Sequence, residues 1–82
     1  MASVVLTSTL ADRFTDGKTH LEFDVSSVRQ LLRAFEKDYP GLGTEVENAQ
    51  LLAIDGVIFQ EAFLQQLKPD AEVYVLPKLG GG

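Results

Sequence analysis

Apolar stretches alternate with turn-forming pairs in the first third of the chain. Residues 4–10 are mostly apolar and β-branched, a composition that favours a first strand. The pair Asp16-Gly17 favours a tight hairpin turn, because both residue types tolerate positive φ. Polar and apolar residues then alternate over residues 20–25. This alternation predicts a second strand that buries Leu21, Phe23 and Val25 and leaves His20 on the solvated face.

A helix is predicted to follow the second strand. Ser27 and Gln30 have the spacing of a capping box, in which each side chain satisfies a free backbone amide. Pro40 and Gly41 are expected to end the helix. We interpret the basic residues on its polar side as a solvated face rather than a ligand site. The apolar face comprises Val28, Leu31, Leu32, Phe35 and Tyr39, and the basic row comprises Arg29, Arg33 and Lys37.

The second half of the chain is predicted to return to strands. The pair Asp55-Gly56 signals a second hairpin turn, and Pro69-Asp70 signals a further turn. Phe63, Leu64 and Leu67 are expected to supply apolar contacts from a short helical turn. The expected elements are a loop at 41–48, strands at 51–54 and 57–59, the helical turn at 61–67 and a last strand at 72–76.

Together these elements predict an α+β domain, with one main helix packed across a mixed sheet. The periodicities of the helix and the strands also predict which side chains fill the core. The predicted core is Val4, Leu6, Leu21, Phe23, Val25, Val28, Leu31, Leu32, Phe35, Leu52, Ile54, Leu67, Val73 and Val75.

Two of the predicted strands carry apolar residues on both faces. Leu51 and Ala53 alternate with Leu52 and Ile54, and Tyr74 and Leu76 alternate with Val73 and Val75. A sheet with a helix on one face is expected to be polar on the other. We therefore predict a docking surface on the outer face at Tyr74, Leu76, Leu51 and Ala53. The alternative is scattered surface apolar residues, which are common in folded proteins.

Composition narrows the class of protein. The 82 residues are enough for one domain, and 45% of them are apolar, as in a folded globule. The net charge of −5 argues against nucleic acid as a partner and suits a basic docking surface. Without cysteine, and with His20 as the single histidine, the sequence offers no thiolate or histidine-cluster metal site. We expect neither a membrane span nor a signal peptide.

The sequence ends in Gly80, Gly81 and Gly82 after an apolar strand and Pro77. Glycine has no side chain, so this segment is thin and sterically open around its carboxylate. Such a segment suits a carboxylate that threads into the active site of another protein, and we expect it to be mobile in the free protein. We predict a domain at residues 1–77 and a glycine tail at 78–82. The alternative is an ordinary frayed terminus.

At this point the chain resembles the ubiquitin-like sulfur carriers of the MoaD/ThiS family, and most closely the small subunit of molybdopterin synthase. The resemblance covers nearly the whole chain, and it rests on the order of its elements rather than on one motif. The matching residues are Leu10, Ser27-Val28, Leu31-Leu32, Tyr39-Pro40-Gly41-Leu42, Ile54-Asp55-Gly56, residues 67–73, Leu76-Pro77 and the terminal glycines. The fold that this resemblance implies is the β-grasp.

The resemblance also implies a function. In this family an E1-like adenylating enzyme uses ATP to activate the terminal carboxylate, which maps to Gly82. A sulfurtransferase then supplies sulfur, and the resulting thiocarboxylate donates it to an acceptor synthase subunit. Gly80 and Gly81 map to the tail, and the partner-binding positions map to Tyr74, Leu76, Leu79, Leu51 and Ala53. The implied protein is a cytoplasmic co-substrate that is not itself an enzyme and binds no cofactor, metal, nucleic acid or membrane.

Several alternatives stay open at the level of sequence. Molybdopterin biosynthesis is favoured, but thiamine, cysteine and siderophore-like pathways use carriers of the same kind. A ubiquitin-like modifier, joined to lysines by isopeptide bonds, needs the same adenylation and the same tail. A plain interaction domain with incidental glycines is the third alternative. The family usually ends in two glycines, so the third glycine leaves open whether Gly81 or Gly82 is the natural terminus.

Overall fold

The computed structural model describes residues 1–78. Within these residues, five strands, three α-helices and one 3₁₀ turn alternate along the chain. No helix in this part of the protein is both long and apolar enough to cross a bilayer. In chain order the elements are β1 (Ala2–Val5), α1 (Ser8–Phe14), β2 (His20–Phe23), α2 (Val28–Asp38), α3 (Leu42–Ala49), β3 (Gln50–Ile54), β4 (Val57–Phe59), the 3₁₀ turn (Ala62–Leu64) and β5 (Glu72–Pro77).

The strands form one mixed sheet in the order β2-β1-β5-β3-β4. The central strand β5 runs parallel to β1 and antiparallel to β3. The pairs β1–β2 and β3–β4 are antiparallel. The helices supply buried side chains to the same core as one face of the sheet. The chain is therefore an α+β domain with a mixed sheet, as predicted, in which α2 is the longest helix.

The predicted first strand, residues 4–10, is wrong beyond Val5. β1 ends at Val5, and α1 begins at Ser8, because the Thr7 hydroxyl caps the helix by accepting a 3.2 Å hydrogen bond from the amide of Leu10. Leu10 and Ala11 are buried on the inner face of α1. The Asp16-Gly17 turn is present, but it joins α1 to β2 rather than two strands directly.

The predicted main helix is confirmed as α2. The Ser27 hydroxyl accepts a hydrogen bond from the amide of Gln30 at 3.1 Å. The reciprocal bond of the expected capping box goes one residue further back, because the Gln30 carbonyl oxygen accepts from the amide of Ser26 at 2.8 Å. Val28, Leu31 and Phe35 are buried, and the Phe35 ring meets Phe23 of β2 edge-on at 5.3 Å between centroids. The basic row is exposed, as expected.

The predicted loop at 41–48 is wrong, because α3 occupies Leu42–Ala49. Leu42 and Val46, one helical turn apart, bury against the core. Gly43 allows α3 to lie tightly on α2, since a Cβ at this position would lie 2.6 Å from the carbonyl oxygen of Leu32. The close packing of α3 on α2 therefore requires glycine at position 43.

The segment after β4 differs in part from the prediction. The helical turn is present but short, at Ala62–Leu64. Its first residue, Ala62, is buried, as is Leu67 after it. Phe63 and Leu64 were expected to pack inward, but they are 39% and 76% exposed. The Arg29 guanidinium lies 4.7 Å from the centroid of the Phe63 ring, so that ring covers the surface of α2 rather than the core.

The predicted core is largely confirmed. Every predicted residue is buried except Val25 and Leu32, which are partly buried at its edge. The sequence pattern did not identify several buried residues, most of which belong to the helices that were not predicted. These are Ala2, Leu10, Ala11, Leu42, Val46, Ala62 and Ala71.

Candidate functional site

The outer face of the sheet carries a row of five residues that crosses every strand. His20 pairs with Val5, Val5 with Tyr74, Tyr74 with Ala53, and Ala53 with Ile58. Directly paired residues on neighbouring strands present their side chains on the same face, so these five side chains lie side by side. We call them the outer row. It is apolar over four consecutive strands and ends in an exposed histidine.

A second apolar pair continues this surface toward the end of β5. Leu51 pairs with Leu76, and both side chains are half-buried. Because side chains alternate along a strand, this pair shares the face of Ala53 and Tyr74. The structure thus brings together the four residues of the sheet that the sequence identified as partner-binding positions.

Exposure differs sharply within this apolar surface. Tyr74 is 47% exposed and Ile58 is 60% exposed, whereas Ala53 between them is only 9% exposed. The smallest side chain of the row is therefore covered by its larger neighbours. Tyr74 and Ile58 are therefore the accessible apolar side chains of the outer row, and Ala53 is not accessible.

The sequence argument missed Val5 and Ile58. Ile58 could have been found, because the two-residue Asp55-Gly56 turn fixes the β3–β4 register and places Ile58 opposite Ala53. Asp55 and Gly56 adopt φ values of 49° and 87°, as such a turn requires. Val5 pairs with Tyr74 through a parallel contact between distant parts of the chain, which no local pattern reveals.

The opposite end of the same face is acidic. Glu22 and Glu72 both pair with Ser3, and both carboxylates are exposed. Glu72 precedes Tyr74 of the outer row on β5, and Glu22 follows His20 of the outer row on the antiparallel strand β2, whereas Leu76 follows Tyr74. The outer face is thus acidic at one end, where Glu22 and Glu72 lie, and apolar at the other end, where Leu51 and Leu76 lie.

The chain leaves the sheet at Lys78, whose ammonium group donates a 3.5 Å hydrogen bond to the backbone carbonyl of Asn48. The remaining predicted site residues, Leu79, Gly80, Gly81 and Gly82, lie outside the described residues. Leu76 is thus separated from the first residue of the glycine run by three residues.

No group of three or more histidine, aspartate or glutamate side chains is placed to hold a metal ion within residues 1–78. Backbone hydrogen bonds from Gly41 and then Thr44 lower the pKa of Glu36 below its ordinary value of 4.5. This carboxylate binds the start of α3 rather than facing the sheet surface.

No family model matches the chain, and no curated protein sequence matches it. The chain is similar in fold to several solved structures, among them the following two. A chain from the crystal structure of the Amycolatopsis orientalis BexX/CysO complex aligns with a TM-score of 0.83 and 16% identity, over 100% of both chains. The solution structure of the Haloferax volcanii HVO 2177 protein aligns with a TM-score of 0.73 and 20% identity, over 99% of this chain and 85% of that one.

The protein has a ubiquitin-like β-grasp fold. This confirms the fold that the family resemblance implied. At 16% and 20% identity the two neighbours establish the architecture alone. The β-grasp sheet leaves its outer face open, and in this chain that open face is the apolar surface described above.

Proposed function

We propose that this protein is a ubiquitin-like sulfur carrier whose Gly82 carboxylate is adenylated and then converted to a thiocarboxylate. One structural observation carries the proposal. The apolar pair Leu51–Leu76 and the exposed Tyr74 lie on the strands β3 and β5, and β5 leads directly toward the glycine run. The docking surface and the reactive group would thus belong to the same end of one central strand.

The reach of the tail suits this arrangement. From Lys78 to Gly82 there are four residues, which span about 13–14 Å when extended. A partner docked on Tyr74 and Leu76 would therefore have the carboxylate within reach of a catalytic centre beside its docking surface. Three consecutive glycines would let the segment enter a channel too narrow for side chains.

The residue type at the reactive position suits the chemistry. The carboxylate attacks the α-phosphate of ATP, forming an acyl-adenylate and releasing pyrophosphate. Hydrosulfide then attacks the acyl carbon and displaces AMP, and loss of the S–H proton leaves the thiocarboxylate. Glycine removes the Cβ that would crowd the attacked carbon. The carrier supplies only the acyl group, while the E1-like partner supplies the catalytic residues.

The resemblance to the small subunit of molybdopterin synthase favours a molybdopterin-type acceptor. In that assignment the same outer face would dock successively on the adenylating enzyme, where the tail is activated, and on the acceptor synthase subunit, where sulfur is delivered. Because both partners would bind the same outer face, the adenylating enzyme would have to leave before the acceptor subunit binds. The fold neighbour from the BexX/CysO complex is compatible with a protein of this shape binding a second protein.

The test is ATP–pyrophosphate exchange with the cognate E1-like enzyme. We expect exchange with the full chain and none with a chain lacking Gly81 and Gly82, since the carboxylate would then fall short of ATP. The Leu76→Glu variant should fold but exchange weakly, because a charge in the docking surface opposes apolar contact. The control is Leu64→Glu, at a side chain that is 76% exposed and lies outside the outer row.

The mass of the isolated protein tests the second step. Replacement of one C-terminal oxygen by sulfur is the expected product after incubation with the adenylating enzyme and a sulfur donor. Stable conjugates to lysines of other proteins would favour a modifier instead. Equal exchange from the chain without Gly81 and Gly82 would overturn both adenylation-based functions.

A further inference from the structure

The two edges of the sheet differ in how they are protected from pairing with another strand. β2 forms one edge, and it carries the exposed polar side chains of His20 and Glu22. β4 forms the other edge, and its sequence, Val57-Ile58-Phe59, contains neither a charge nor a proline. Edge strands usually carry such residues, because their open backbone groups can otherwise pair with a strand of another chain. The β4 edge lacks this protection.

The backbone of Ile58 is open toward the free side of β4. The Asp55-Gly56 turn has two residues, so the Ile54–Val57 pair that closes it is hydrogen-bonded. Hydrogen-bonded and non-hydrogen-bonded pairs alternate along antiparallel strands, so the next pair, Ala53–Ile58, is not hydrogen-bonded. The amide and the carbonyl of Ile58 therefore point away from β3, toward the edge of the sheet.

Both faces of β4 are apolar at this edge. Ile58 is 60% exposed on the outer face, and Val57 is 55% exposed on the face that carries the helices. Phe59 shares the face of Val57 and packs partly against the core. A strand added beside β4 would therefore gain backbone hydrogen bonds at Ile58 and apolar contacts on both faces of the sheet.

A second copy of this chain has a strand that matches this edge. In antiparallel pairing about a two-fold axis, Ile58 lies opposite Ile58 of the second copy, and each amide can donate to the other carbonyl. The same register sets Val57 opposite Phe59 of the second copy, so each exposed valine meets an aromatic ring. The paired strands are uncharged, so the net charge of −5 on each chain brings no like charges together within them.

We propose that this protein forms a symmetric dimer through β4, in which the two sheets join into one continuous sheet. The two-fold axis is perpendicular to the sheet, so the outer rows of both copies lie on one face and meet at Ile58. Tyr74 stays uncovered, because β3 separates its strand from β4. β4 has only three residues, so the interface is small and the dimer exchanges with the monomer. The proposal does not depend on any chemistry at Gly82.

Sedimentation velocity of the full chain, over a series from about 10 µM to 1 mM, measures the association. We expect the mean mass to rise from that of the monomer toward that of the dimer. Ile58→Lys should raise the Kd of the dimer at least about tenfold, because two lysines would face each other across the axis. The control is Leu64→Lys, which makes the same change of charge at a side chain that is 76% exposed and lies outside β4. It should leave the Kd nearly unchanged.

Hydrogen exchange of the Ile58 amide identifies the surface that is used. This amide should exchange more slowly as the protein concentration rises, because the dimer supplies its hydrogen-bond partner. A mass that stays monomeric over the whole series would overturn the proposal. A dimer that survives Ile58→Lys, or one in which the Ile58 amide is not protected, would also overturn it, since the contact would then lie elsewhere.

Two further outcomes separate this proposal from other uses of the surface. A chain that stays monomeric, but whose Ile58 amide becomes protected when the adenylating enzyme is added, would assign the β4 edge to that enzyme and overturn the dimer. The carrier function is tested independently, since a monomeric chain can still support ATP–pyrophosphate exchange. A dimer without exchange would overturn the carrier function and support the pairing through β4.

Discussion

Glu36 of α2 accepts two hydrogen bonds from Thr44 of α3, one from its backbone amide at 3.2 Å and one from its hydroxyl at 3.4 Å. The other Glu36 oxygen accepts from the amide of Gly41 at 2.8 Å. These amides belong to the start of α3, whose first N–H groups lack partners within the helix. A side chain from the preceding helix thus caps α3, because Gly41 at the cap position has no side chain to do so.

The first prediction concerns the pH dependence of this cap. The hydrogen bonds favour ionised Glu36, so its pKa is lower in the folded protein than in the unfolded chain. A group with a lowered folded pKa stabilises the fold above its unfolded pKa and loses that contribution as pH falls through the folded value. Glu36→Gln should therefore destabilise the protein at pH 7, and the difference should shrink below pH 4.5.

Urea denaturation at a series of pH values measures this difference. A suitable control is Glu47→Gln, which changes an exposed carboxylate on the same helix, α3. It should leave the free energy of unfolding nearly unchanged at pH 7. A Glu36→Gln difference that is constant from pH 7 to pH 3 would contradict the assignment of the cap to the carboxylate.

The second prediction compares neighbouring leucines of α2. Leu31 is fully buried, whereas Leu32 is only partly buried at the edge of the core. Leu31→Ala should cost about 2–5 kcal/mol, the usual range for a buried leucine. Leu32→Ala should cost clearly less, because part of its surface already faces water. Thermal or urea unfolding of the two variants measures both values, and equal losses would mean that the two faces of α2 are assigned wrongly.

Local patterns predicted those parts of the fold that local physics decides. The alternation in residues 20–25 and the capping Ser27 both correspond to elements of the structure. α3 escaped prediction because its start is capped by Glu36, six residues before Leu42, and not by its own N-cap residue. α1 was missed for a different reason. Threonine is a common N-cap residue, so Thr7 could have indicated a helix start, but the β-branched residues before it favoured a longer strand.

The same distinction applies to the candidate site. The sequence identified Leu51, Ala53, Tyr74 and Leu76, because apolar residues occupy both faces of the two strands that became β3 and β5. Their direct pairing, and the addition of Val5, follow from the order of the strands in the sheet. Strand order depends on contacts between distant residues, which a single sequence does not reveal. The roles of Leu79 and the glycines rest on the resemblance and on the proposals above.

The third prediction concerns the β3–β4 turn. Asp55 adopts a φ of 49°, and its carboxylate accepts a 2.9 Å hydrogen bond from the amide of Glu72. Asp55→Ala should cost about 1–2 kcal/mol, because alanine loses the acceptor and strains the left-handed backbone. Asp55→Asn keeps both properties and should stay within about 0.5 kcal/mol of the wild type. Urea denaturation compares them, and similar losses in both variants would implicate the charge instead.

The last prediction tests how far the docking surface extends across the sheet. Ile58 and Val57 are adjacent on β4 and similarly exposed, at 60% and 55%, but they face opposite sides of the sheet. If a partner covers the outer row as far as its edge, Ile58→Ser should remove apolar contact, whereas Val57→Ser should not. Neither substitution should change the free energy of unfolding by more than about 0.5 kcal/mol, because both side chains are largely exposed.

Calorimetric titration with the cognate adenylating enzyme measures the effect. Truncation of an interface residue that matters costs more than about 1 kcal/mol, which corresponds to about a fivefold increase in Kd. We expect at least that increase for Ile58→Ser and for Tyr74→Ala, and less than twofold for Val57→Ser. Weakening by Tyr74→Ala alone would confine the surface to β5 and β3. Equal weakening by Val57→Ser and Ile58→Ser would show that the partner binds the edge of β4 and not the outer face.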